Sequence, residues 1–130
     1  MGPVNWLAVI LAANFALALG IVWFGPLFGS GRAMLAGPGD APKNYGIVLV
    51  IMLIASTMMG HNFARVGGAT LSLKPWLYGM MSGGLALAFV IPAVLLTHLR
   101  QGTNSRVALI DAGYWLAAYL AMGLVFYVLG

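Results

Sequence analysis

Cysteine is absent from the 130 residues. That removes disulfides, thiolate metal sites, covalent haem attachment through C-x-x-C-H and cysteine nucleophiles, and it leaves the redox compartment open. Charge is nearly as scarce, with six Lys and Arg and only two acids, Asp40 and Asp111, together 6% of the chain. A soluble domain carries about 25% charged residues, so no water-facing surface can be assembled here. Disorder is excluded too, because disordered chains are poor in apolar residues and this one is 62% hydrophobic. No two cations are adjacent, so the net charge of +4 builds no nucleic-acid patch. It reads instead as an orientation signal and as contact with lipid headgroups. An acid pair, a Ser–His–Asp set in one location and a phosphate-cradling loop are all missing. The expectation is a protein that is not an enzyme and binds no cofactor.

What is present is apolar length. Residues 1–31, 44–64, 75–99 and 112–130 contain no Lys, Arg, Asp or Glu. A helix needs about 20 apolar residues to cross the hydrocarbon. The pattern predicts an all-α integral membrane bundle of four transmembrane helices, one domain over 1–130, with spans near 4–25, 44–62, 75–98 and 106–129. Strand alternation is lacking, and four such segments cannot close a barrel. Gly25-Pro26 ends the first span, and a Gly-rich connector runs from Gly29 to Gly39. Asp40 and Pro42 open the second helix as N-cap and first-turn proline. Gly67-Gly68 breaks the chain before Lys74-Pro75, and Asn104 or Ser105 caps the fourth helix. The first span reads as a retained helix: Met1 to Asn5 carry no basic side chain, and the run exceeds the 7–15 or so residues of a signal core.

The connections after the first and third spans share one side and carry Arg32, Lys43, Arg100 and Arg106, whereas the other side has Arg65 and Lys74. The positive-inside tendency then puts both termini outside the cytoplasm. Trp6, Phe63, Trp76, Tyr78 and Tyr127 fall near one interface, and Trp23, Phe28, Tyr45, Tyr114 and Trp115 near the other. Ring amphipathicity favours that depth.

In lipid, apolar area gives no drive for association, so close packing must supply it. Ala8, Ala12, Ala16 and Gly20 recur every four residues on the first helix, and Gly113, Ala117 and Ala121 do so on the fourth. Gly79 and Gly83 mark the third, Ser56 and Gly60 the second. These stripes are read as intramolecular packing or, on the first or fourth helix, as a face toward a second copy or a larger membrane complex, with membrane lipids as the other expected partners. Pro92 removes a backbone hydrogen bond deep in the third helix and frees the Ala88 carbonyl. Asn14, midway along the first helix, is expected to bond to another helix.

Asp111 is the one acid associated with a span, and ~9 Å of helix separates it from the start of the fourth helix. His98, Arg100 and Arg32 lie on its side of the membrane and are its candidate partners. The pair reads either as a structural tie or as a proton or cation site. His61 and His98 end different helices at opposite interfaces, which argues against a haem between them. Met58, Met59 and His61 make a soft-ligand cluster to which Met80 and Met81 would have to contribute, and they are read as packing.

The segments NWLAVILAANFALALGIVWFGPLFG and LIDAGYWLAAYLAMGLVF resemble the two ends of the bacterial domain-of-unknown-function family 1761. The match rests on the N-W-L-A-V opening, on the aromatic corner Trp23, Phe24, Gly25 and Pro26, and on Leu109, Ile110, Asp111, Ala112, Gly113 and Tyr114. Family members often carry His after that Tyr. Trp115 stands there in this chain, which weakens a proton relay built on it. The resemblance implies a small four-helix membrane protein and no activity. The leading expectation is a non-enzymatic accessory or structural subunit, forming a homo-oligomer or joining a larger membrane complex. The alternative is a small oligomeric transporter or channel for protons, ions or a hydrophobic solute.

Overall fold

A computed structural model of the chain describes residues 4–23 and 45–129. Arg32, Asp40, Lys43, the Gly25-Pro26 corner and the Gly29–Gly39 connector lie outside those residues. Among the described residues there is no strand. The helices are α1 (Trp6–Val22), α2 (Tyr45–Val66), α3 (Gly68–Leu73), α4 (Trp76–Gln101) and α5 (Ser105–Leu129). Three of them, α2, α4 and α5, are long and apolar enough to cross a membrane. The 17 described residues of α1 are equally apolar but fall short of the length a crossing needs.

Capping chemistry sets several of these limits. The Asn5 side chain accepts from the Ala8 N–H at 3.1 Å, and its amide donates to the Leu129 carbonyl at 3.2 Å, which ties the start of α1 to the end of α5. Asn104 accepts from the Arg106 N–H at 2.8 Å, so it caps α5 as expected. Gly67 does end α2 at a φ of 93°, a conformation open mainly to glycine. The chain does not stay irregular, however: Gly68 begins the short helix α3, which the glycine pair did not suggest. The second helix also runs four residues past its expected end at 62.

α1 packs against α2 and α5, and α4 lies along α5. The α1 stripe of Ala8, Ala12, Ala16 and Gly20 is buried in those contacts. Ser56 of α2 donates across them to the Val9 carbonyl at 2.9 Å. Tyr114 of α5 reaches the Ala16 carbonyl at 2.8 Å. Each bond holds a backbone oxygen that already serves α1, so its contribution is modest. Ser56→Ala and Tyr114→Phe should each lower thermal stability in detergent by roughly 0.6–1.7 kcal/mol, the range for interhelical bonds in membranes. A melting curve followed by size exclusion would check this, with no change in either variant ruling out a share in stability.

The sequence-based face of α5 needs correcting. Ile110, Tyr114, Ala118, Met122 and Phe126 form the buried row, one position on from Gly113, Ala117 and Ala121, which are half-buried. Tyr114 is thus a core residue and not an interface anchor. On α4, Gly83 is buried against Leu120 of α5, whereas Gly79 is exposed with open space beside it. The tightest crossing is at Gly123, where an added Cβ would lie 2.8 Å from the Ser82 Cβ and 2.9 Å from the Tyr78 carbonyl oxygen.

Pro92 is absorbed without breaking α4. The turn ahead of it, Ala86–Val90, widens into a π-helix in which the Ile91 N–H reaches back to the Ala86 carbonyl. One extra residue in the turn gives the proline ring room. The half of α4 beyond it, Ile91–Gln101, buries no residue fully.

Candidate functional site: a histidine–aspartate pair at the α4–α5 corner

The corner is built by a tight reversal. The Gly102 N–H bonds to the Leu99 carbonyl at 3.2 Å and the Thr103 N–H to the His98 carbonyl at 3.0 Å, with Gly102 left-handed at a φ of 68°. This closes α4 in the Schellman manner and sends the chain back along its own last turns. His98, near the end of α4, then faces Asp111, near the start of α5. Their Nε2 and Oδ2 atoms are 2.6 Å apart. The side chains are only 16% and 14% exposed.

Of the partners expected for Asp111, His98 alone is in place among the described residues. Arg100 and Arg106 project outward, and Arg32 lies outside the described residues. Neither Nδ1 of His98 nor Oδ1 of Asp111 finds a hydrogen-bond partner, although both atoms are enclosed. An enclosed polar atom left unpaired costs about 1–3 kcal/mol. The pair is therefore a strained polar island in an apolar wall. It can hold one proton between its members, as imidazolium–carboxylate or as imidazole–carboxylic acid.

His98 borders two clefts. One of about 260 Å³ is lined by Val94, Thr97, His98, Asp111 and Trp115. The other, about 340 Å³, lies against Leu95, His98, Leu99, Thr103 and Ser105.

The remaining candidates fall elsewhere. His61 stacks edge-on with Trp6, ring centres 5.9 Å apart, at the end of the bundle where Asn5 meets Leu129. The α5 segment from Asp111 to Leu129 alone covers about 27 Å, so the two histidines are at opposite ends. Met59 is in the core while Met58 faces outward, so this cluster does not converge on one ligand. Among the described residues no group of three His, Cys, Asp or Glu could hold a metal. Asn14 is the clearest departure from expectation. Its amide donates to its own helix, to the Ile10 carbonyl at 2.8 Å, and the side chain is exposed on the outside of α1. The sequence reading did not assign the contacts of three further groups: Ser82, which lies in the α4–α5 crossing; Tyr114; and Trp23, whose indole donates to the Ile110 carbonyl at 3.1 Å. Small polar residues in the middle of apolar runs were the signal for Ser82. Nothing in the pattern set Tyr114 apart from an interface tyrosine.

Apolar helices of crossing length around one enclosed ionisable pair define a helical membrane protein. The chain belongs to the family described as Protein of unknown function (DUF1761), which matches residues 7–127. No curated protein and no solved structure matches it.

Proposed function

We propose that the chain is a non-enzymatic integral membrane subunit that crosses a bacterial inner membrane four times, with both termini on the non-cytoplasmic side, and packs against itself or a larger membrane complex. The observation that supports it most is the outer surface of α4. Leu87, Phe89, Leu96 and Leu99 all point away from the protein, and Leu99 is 75% exposed. Among the described residues the one ion pair lies at a single corner. The fourth crossing is assigned to α1, whose described residues are as apolar as the three longer helices.

Fusing a reporter active only in the cytoplasm to Gly130 should give no signal, while the same reporter after Gln101 should give a strong one. The reverse pattern would overturn the orientation, and matching signals at both sites would show that α5 does not cross. Purification in a gentle detergent with mass spectrometry separates the roles: a stoichiometric larger partner supports the subunit reading. The second reading, proton-coupled transport, draws on the His98–Asp111 pair standing between two clefts. It makes a separate demand on that pair, argued below.

A further inference from the structure

We infer that the exposed face of α1 is a docking surface for a second copy of this chain, with Asn14 pairing with Asn14 of that copy near the middle of the membrane. The inference rests on the proposed reading of α1 as a membrane span, and it replaces the Ala8–Gly20 stripe, buried inside the bundle, as the contact face.

The face has a pattern of its own. Leu7, Leu11, Asn14, Ala18 and Ile21 are all exposed and follow one another at spacings of four, three, four and three. That alternation is the seam of a left-handed coiled coil, and it lies opposite the buried alanines. Asn14 occupies the centre of the seam and the centre of Trp6–Val22. A single asparagine at such a position sets register and partner number in coiled coils.

The amide supplies the drive. One of its N–H groups goes to Ile10, which leaves a second N–H and the whole carbonyl oxygen without a partner. Lipid offers neither donor nor acceptor, so these groups are costly where they stand. An amide is self-complementary, donor and acceptor together. A second chain related by a two-fold axis along the membrane normal brings its own Asn14 to the same depth, and each amide can then serve the other. A groove of about 530 Å³ beside Asn14, walled by Leu11, Phe15, Leu124 and Val128, is shaped to take side chains of the facing α1.

The chain is free of cysteine, so single cysteines report contact without background. Leu11→Cys and Ala18→Cys, oxidised in native membranes, should give disulfide-linked dimers severalfold more than Ile54→Cys on α2 and Leu96→Cys on α4, which are more exposed than Leu11. Asn14→Leu should weaken the dimer about 5- to 30-fold in a detergent dilution series, the equivalent of ~1–2 kcal/mol for an intramembrane hydrogen bond. Asn14→Gln should restore most of it. Because the side chain is exposed and hydrogen-bonds only within α1 among the described residues, both variants should fold as the parent does. Equal cross-linking at all four positions, no cross-linking at Leu11 and Ala18, or an unweakened Asn14→Leu dimer would each overturn the inference, including the case where a different protein covers this face. Alkaline extraction of the same membranes keeps the failures apart. A chain released by alkali contradicts the membrane reading itself, whereas one retained but not cross-linked contradicts the dimer alone.

Discussion

Gly123→Val should prevent α4 and α5 from closing and leave little folded protein in the membrane. The built Cβ already meets the Ser82 side chain and, at 2.9 Å, the Tyr78 carbonyl oxygen. A backbone oxygen in the middle of a helix cannot swing aside, so the helices must separate. Overpacking commonly costs about 1–3 kcal/mol, and a contact with backbone places this one at or above the upper end. Gly79→Val is the matched control: the same substitution, on the facing helix, at a position where the built Cβ has open space. It should stay within roughly 0.5 kcal/mol of the parent, as exposed substitutions usually do. Ser82→Gly should rescue Gly123→Ala in part, because it clears the side chain but not the Tyr78 carbonyl. Recovery of monodisperse protein from detergent, followed by its melting temperature, measures all four. A normally folded Gly123→Val protein would show that the helices do not cross where this structure places them.

That crossing illustrates what an apolar sequence can and cannot convey. Helix positions were legible because a run without charge has few ways to satisfy its backbone in lipid, and the ends carry glycine, proline and asparagine with definite conformational preferences. Helix faces were much less so. In water the buried face is the apolar one, but here both faces are apolar and the periodicity carries almost no contrast. The α1 stripe was found because four small residues coincide with the contact. On α5 two rows of four-residue spacing run side by side, and the row of Gly113, Ala117 and Ala121 is not the buried one. Large residues fill that core: Tyr114, Met122 and Phe126 replace close backbone approach with side-chain volume. Asn14 misled for a related reason. An amide in lipid demands a partner, and the sequence cannot say whether the partner is a neighbouring helix or its own preceding turn. The His98–Asp111 pair was the most legible feature of all, since a single acid in the spans left few cations able to meet it.

His98→Ala should therefore cost more stability than Asp111→Asn, and the order reveals what the pair is for. Removing Asp111 leaves an imidazole, which can stay neutral at physiological pH. Asn also keeps an acceptor for the Nε2–H, so its loss should be near 1 kcal/mol, while Asp111→Leu forfeits that bond as well and should fall further. Removing His98 leaves the enclosed Asp111 carboxyl group with no other cation on it among the described residues. It must remain charged there or take up a proton. Protonating an ordinary carboxylate at pH 7 costs about 4 kcal/mol, close to the penalty for breaking a buried pair from one side. Melting temperatures of both variants at one pH check the order. Reconstituted vesicles supply the other arm: a structural tie predicts that Asp111→Asn changes no proton- or cation-coupled flux. A fully stable Asp111→Asn protein that has lost such flux would make the carboxylate a working group, and the transport reading would displace the subunit one.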